Sequence, residues 1–177
     1  MSSVTWYAVL LGAVALWRGV ELVVSARNRR WAFERGGFEE GQGHFPAMAA
    51  LHTGLLLGAL AEVVLADRPF VPPLGWAMLA VLLVTQAVRL WCMAELGRQW
   101  NTRVVVVPGM PRVTGGPYRW LSHPNYVVVA AEGVALPLVH TAWFTAVVFT
   151  LLNALLLLRY RIPAEEAAMR SLVASRP

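Results

Sequence analysis

Three long apolar stretches, 4–24, 45–65 and 75–95, leave this chain few folds to adopt. A helix needs about 20 mostly apolar residues to cross a bilayer, and in lipid only helices and closed barrels satisfy every backbone polar group internally. Two further apolar segments, 126–138 and 142–160, are joined by the uncharged turn Pro137-Leu138-Val139-His140-Thr141. The first of that pair is short for a full crossing, so the two read as a tilted or broken hairpin. With 58% hydrophobic and 14% charged residues over 177 positions, and a mean hydropathy of +0.55, an ordinary soluble domain is excluded. The expected fold is all-α: a single polytopic membrane domain over 1–177, with about five transmembrane helices ending in a helical hairpin.

Charge orients these helices. All fifteen basic residues are arginine. Arg27, Arg29, Arg30 and Arg35 follow the first stretch, Arg98, Arg103, Arg112 and Arg119 the third, and Arg159, Arg161, Arg170 and Arg176 end the chain. Cytoplasmic segments carry the excess of Lys and Arg. The N-terminus is therefore expected outside, with the C-terminus and both Arg-rich loops on the cytoplasmic side of a bacterial inner membrane. The net charge of +5 is a topology signal, and no nucleic-acid partner is expected. The first stretch lacks a basic n-region and a small-residue cleavage pattern, so it reads as a retained anchor. The single cysteine, Cys92, excludes an internal disulfide and a cysteine metal cluster; apolar packing is its expected role.

Between the stretches lie segments of different character. Residues 25–44 carry Gly36, Gly37, Gly41 and Gly43 among mixed charges, which predicts a loop with a short interfacial helix around 30–34. Residues 66–74, with Pro69, Pro72 and Pro73, form an external turn. The segment 97–122 contains the β-branched run Val104-Val105-Val106-Val107 and the turn Pro108-Gly109. It is expected to fold over the membrane face, because Val and Trp at that density shun water.

Polar residues in a membrane protein are expensive and gather where function needs them. The block Gly115-Gly116-Pro117-Tyr118-Arg119-Trp120-Leu121-Ser122-His123-Pro124-Asn125-Tyr126 precedes the hairpin, and Arg161-Ile162-Pro163-Ala164-Glu165-Glu166 follows it. Pro124 suits a first helical turn, where its missing N–H costs nothing, and such a helix start offers free donors and a positive dipole to a ligand. The alternative is structural, with His123 capping the helix and Tyr126 anchoring at the headgroups. Arg161 and Glu165 are four apart, which puts both on one face of a continuous helix. Pro163 lies between them and disfavours helical geometry at Ile162, so a kink or restart is expected. A juxtamembrane salt bridge is the competing reading of that pair.

Read in order, Gly116-Pro117-Tyr118, His123-Pro124-Asn125-Tyr126 and the terminal Arg161 with Glu165-Glu166 resemble the isoprenylcysteine carboxyl methyltransferase family of integral-membrane methyltransferases. The resemblance is firmest over about 95–166. It implies S-adenosylmethionine as cofactor, bound within about 95–177 by Tyr118, His123, Pro124, Asn125, Tyr126 and Glu165. Met110, Pro111, Arg112 and Val113 just upstream would act through their backbone, with Arg103 as a further polar contact. The resemblance places Arg161 at the acceptor, making Arg161 and Glu165 the catalytic pair.

The stretches Arg27-Asn28, Gly36-Gly37-Phe38-Glu39-Glu40-Gly41, His44-Phe45-Pro46, Leu51-His52 and Trp100-Asn101-Thr102-Arg103 resemble a small bacterial branch of that family. Its members accompany type III polyketide synthases and methylate alkylpyrones or alkylresorcinols. This implies O-methylation of a lipophilic hydroxyl and a type III polyketide synthase as functional partner. Ser122, where many relatives have Arg, removes one charge and points away from the isoprenylcysteine branch. The rivals are a prenylated-cysteine carboxylate or a phospholipid amine as acceptor, and, outside enzymes, a non-catalytic membrane subunit.

Other polar residues need partners. Arg18 and Glu21, three apart in the first stretch, are placed to neutralise each other. Glu132 must be protonated, paired or beside water; Glu62, Glu95 and Asn153 lie near or within other stretches. His44 and His52 flank the start of the second stretch and are read as substrate-entrance residues, with a structural role as the alternative. His123 and His140 are remote from them and from each other, and no HExxH pair occurs, so no metal is expected. Without a G-x-G-x-x-G fingerprint after a strand, a soluble Rossmann-type methyltransferase is excluded.

Overall fold

Ser2 closes the start of the first helix, its hydroxyl accepting the Thr5 N–H at 3.2 Å, and α1 then runs unbroken over Ser3–Phe33. The computed structural model describes residues 2–174, without the side chains of Gln42, Met169 and 171–174. At 1.5 Å per residue α1 spans roughly 46 Å, well beyond the ~30 Å hydrocarbon layer. The short interfacial helix expected around 30–34 is therefore the end of α1 itself, since no Gly or Pro interrupts 20–35.

Proline marks the later helix starts. Helix α2 (Phe45–Leu65), α3 (Pro72–Leu96) and α4 (Pro124–Leu138) each carry Pro in the first turn, where its fixed φ is already helical. Helix α5 (Trp143–Leu156) passes through a wide π turn at Leu157–Arg161 into α6 (Ile162–Ala174). The Ile162 N–H bonds back to the Leu157 carbonyl. Pro163 then occupies the first turn of α6, where it needs no donor. The expected kink is thus a wide turn that lets the helix restart without breaking.

The protein is an all-α polytopic membrane protein in its spanning part. Among the described residues, the helical stretches Ser3–Phe33, Phe45–Leu65, Pro72–Gln99 and Trp143–Ala168 are long and apolar enough to cross a membrane. Helix α4, with 15 residues, is the short arm of the C-terminal hairpin. Leu16, Leu57, Leu83, Phe144, Leu151 and Leu158 are exposed along these helices. Such an apolar exterior is stable only in lipid. Inside, Tyr7, Leu55, Val63, Leu82, Leu136 and Phe149 build the core, and Gly133 lets the Phe149 ring lie against α4.

At the core end, Glu62 accepts from the Phe144 and Thr145 N–H groups at 3.1 and 2.7 Å. It thereby caps α5 and also pairs with Arg68 at 2.8 Å, which accounts for a carboxylate at a span end. His140 is buried in the turn after α4, against the rings of Tyr7 and Phe70.

At the other end the loops form a structure that the all-α expectation lacked. Strand β1 (Phe38–Glu40) pairs antiparallel with β2 (Val104–Val106), with Phe38 opposite Val106 and Glu40 opposite Val104. The β-branched run prefers a pleated backbone, and the Gly-rich loop supplies the partner strand. This ribbon packs against α1 and α6 and folds the 97–122 segment onto the helix ends.

A cavity between the ribbon and the hairpin

The ribbon, the 97–122 segment and the ends of α4 and α6 enclose a cavity of about 420 Å³. Arg103, Met110, Pro111, Arg112, Val113, Tyr118, His123, Asn125, Tyr126, Arg161 and Glu165 all line it. The local reasons are visible. Val107 and Met110 close a type II turn at 3.2 Å, in which Pro108 presets the first corner and Gly109, at φ +79°, takes the left-handed second corner. That turn sends residues 110–113 along the cavity wall.

Three sequence-derived candidates lie elsewhere. Pro124 faces the opposite side of the same wall, in an apolar groove with Trp91, Trp120 and Val127. His44 caps α2 beside Gly41. Burial, reinforced by the charge of Arg161, pushes its imidazole below the usual histidine range, so it is neutral at pH 7. His52 bonds through Nδ1 to the Met48 carbonyl at 2.8 Å and sets its ring edge against Phe149.

The two polar clusters that bracket the hairpin meet at Tyr126. Arg161 Nε donates to the Tyr126 hydroxyl at 3.0 Å, and that hydroxyl donates to Glu165 Oε2. His123 stacks on the Tyr126 ring at 5.3 Å, with Nδ1 3.6 Å from Glu165 Oε1. Arg161 is 9% exposed, and among the described residues no carboxylate forms an ion pair with it. The plain salt bridge considered for Arg161 and Glu165 is thus replaced by a phenol shared between them. A buried cation without a carboxylate, beside a cavity, favours an anionic oxygen there.

Arg103 lines the cavity with its charge already balanced. It donates to Glu39 at 2.6 Å, its guanidinium lies 3.8 Å over the Phe45 ring, and Arg29 reaches the other Glu39 oxygen at 3.1 Å. Burial opposes ionisation of Glu39, but the hydrogen bonds and charges of Arg103 and Arg29 outweigh it and hold the carboxyl below its usual range. Burial above all pushes the Tyr118 phenol above the ordinary range. Cys92 is a buried free thiol, in keeping with its expected packing role.

Beneath the cavity sits a buried four-charge network. Arg18 pairs with Glu21 at 2.6 Å and with Glu132 at 2.5 Å. Arg89 pairs with Glu132 and lies 3.7 Å from Glu21, while its Nη1 reaches Asn125 Oδ1 at 3.5 Å. Two cations and two anions cancel within the bundle, so Glu132 is paired. Arg89 was not singled out from the sequence, although an Arg inside an apolar stretch signals a buried polar partner. Among the described residues no three His, Cys, Asp or Glu side chains gather as a metal site.

Comparison with known proteins adds to this geometry. The model of the isoprenylcysteine carboxyl methyltransferase (ICMT) family matches residues 78–171. The chain is similar to an uncharacterized protein of Bacillus subtilis, YpbQ, with 37% identity over 164 residues, 92% of this chain and 95% of that one. It is also similar to an uncharacterized protein of Haemophilus influenzae, with 26% identity over 158 residues, 88% of this chain and 90% of that one. No solved structure matches.

Proposed function

Because the chain belongs to the isoprenylcysteine carboxyl methyltransferase family of membrane methyltransferases, we propose that it methylates an oxygen of a lipophilic acceptor, with S-adenosylmethionine as donor. The acceptor in this reading is the hydroxyl of a long-chain alkylpyrone or alkylresorcinol. The single observation that carries it is the buried Arg161, held by Tyr126 at the cavity and paired with no carboxylate among the described residues.

The residues at the cavity suit the cofactor. Its 420 Å³ falls within the ~300–1,000 Å³ of small-molecule pockets. Glu165, Tyr126 and His123 offer a carboxylate and two aromatic faces to a cationic group. Arg112 and Arg98 on the opposite loop suit a carboxylate. The indole N–H of Trp100, a residue lining the cavity, is buried without a partner among the described residues. When bound, the cofactor supplies an electrophilic methyl on a sulfonium.

The chain's own contribution is position and charge. Arg161 stabilises the acceptor oxygen in its deprotonated form by a charge-assisted hydrogen bond. An enol or phenol ionises readily enough for that cation to suffice. Tyr126 fixes Arg161 relative to Glu165, so acceptor and cofactor approach in one register.

The Arg-rich loop end faces the cytoplasm in this reading, with the N-terminus outside, in a bacterial inner membrane. The acceptor's alkyl tail reaches the site from the bilayer, and a type III polyketide synthase is the kind of partner that supplies it. The test is purified protein incubated in parallel with labelled S-adenosylmethionine and each of three acceptors: an alkylpyrone, an alkylresorcinol and a farnesylated cysteine analogue. Methylation of either of the first two is expected; methylation of the cysteine analogue alone sinks the acceptor.

A further inference from the structure

Trp100 is 3% exposed and lines the cavity, and its indole Nε1 has no hydrogen-bond partner among the described residues. An indole N–H is a donor only. A buried donor left unpaired destabilises a fold, and such groups are rare.

The orphan is built in by its neighbours. Asn28 Nδ2 donates to the Trp100 carbonyl at 2.7 Å, and the Trp100 N–H donates to the Gly97 carbonyl at 3.2 Å. The next two residues are tied to Ser25: its hydroxyl donates to Asn101 Oδ1 at 2.6 Å and accepts from the Thr102 N–H at 3.0 Å. The part of α1 beyond the hydrocarbon layer therefore fixes the Trp100 backbone at the cavity. Arg27-Asn28 and Trp100-Asn101-Thr102-Arg103 acquire a joint role that the Tyr126, Arg161 and Glu165 chain does not use.

We propose that Trp100 is a ligand-binding residue whose Nε1–H donates to an uncharged acceptor, a ring nitrogen or a ribose oxygen, on the nucleoside half of S-adenosylmethionine. This rests on the cofactor reading above. The choice of the nucleoside half follows from the cavity walls. Arg98 and Arg112 line the same space and suit the carboxylate of the amino-acid half; Arg98, 5.8 Å over the Trp31 ring, lies on the wall that also carries Ala32 and Leu96. A carboxylate is better served by those two guanidinium groups, which leaves the uncharged indole donor for an uncharged acceptor.

The experiment uses the full chain in detergent with isotope-labelled tryptophan, titrated with S-adenosylhomocysteine. The indole resonance missing in Trp100→Phe, or in Trp100→Tyr should the first variant not fold, is assigned to Trp100. It is expected to move downfield on binding, and equally with 5′-methylthioadenosine, which lacks the amino-acid half. Trp100→Phe keeps an aromatic ring without the donor and should bind both ligands roughly tenfold more weakly. An unmoved resonance, or equal affinity of wild type and Trp100→Phe, overturns the inference and leaves the cofactor reading intact. Movement with S-adenosylhomocysteine but not with bound 5′-methylthioadenosine also overturns it. Failure of the wild type to bind S-adenosylhomocysteine removes both.

Discussion

Arg161 and Tyr126 stand 35 positions apart on opposite arms of the hairpin and meet at 3.0 Å, Arg161 Nε donating to the phenol oxygen. The same hydroxyl donates to Glu165. Tyr126→Phe keeps the ring that stacks on His123 but unlinks the two charged residues. We expect kcat/KM for the acceptor to fall about ten- to a hundredfold, with unfolding temperature nearly unchanged. Steady-state kinetics beside a thermal melt checks this; an active variant with unaltered kcat/KM would show the phenol to be dispensable.

Arg161 and Glu165 should separate kinetically. Arg161→Ala removes the group assigned to the acceptor, so turnover falls while affinity for S-adenosylhomocysteine stays within a few fold. Glu165→Ala weakens that affinity about tenfold or more, as expected for loss of a charged partner. Calorimetric titration of both variants decides the matter. The reverse pattern exchanges the two roles.

The four-charge network predicts a marked non-additivity. Arg89→Met leaves Glu21 and Glu132 sharing Arg18 alone, and a buried charge stripped of its partner destabilises by about 3–5 kcal/mol. Arg89→Met combined with Glu132→Met restores neutrality, with Arg18 and Glu21 still paired. The double variant should therefore be more stable than Arg89→Met in denaturant unfolding. Additive losses would mean that the network carries no coupling.

The ribbon should loosen in acid. The folded carboxyl of Glu39 titrates below its ordinary value of 4.5, so its stabilising pairing with Arg103 and Arg29 is complete above that value. It is lost as the pH falls further, through the depressed folded value. Protection of the 38–40 and 104–106 amides, measured as hydrogen exchange relative to the intrinsic rate at each pH, should fall below about pH 4.5. In Glu39→Gln that protection should already be low at pH 7, and no acid-dependent loss of it should remain.

Gly133 is a packing requirement. A Cβ there would sit 2.1 Å from the Phe149 ring, so Gly133→Ala should destabilise by about 1–3 kcal/mol through overpacking. Adding Phe149→Leu should recover part of that loss in a thermal melt, whereas Phe149→Leu alone should be destabilising.

The spanning helices were legible because their signal is local: runs of apolar residues, with Pro at the starts of α2, α3 and α4. The boundaries of α2 agree to the residue with the apolar run. Strand β1 was not legible, since three residues of a Gly-rich loop become a strand only when Val104–Val106 arrives as a partner. Arg89 was missed for a related reason, because its partners lie 43 and 68 positions away and the sequence alone does not say which helices touch.

By itself, then, the sequence determined the membrane character, the helical hairpin and the two polar clusters beside it. Composition, periodicity and residue type act over one or two turns, and they suffice for that much. Only the tertiary structure decided how those residues are used. It made Tyr126 the link between Arg161 and Glu165, spent the Arg103 charge on Glu39, turned Pro124 away from the cavity, and left the Trp100 donor unpaired at its wall. Those outcomes depend on hydrogen bonds a few ångströms long between groups tens of residues apart, and such a bond exists only once packing has brought both ends together.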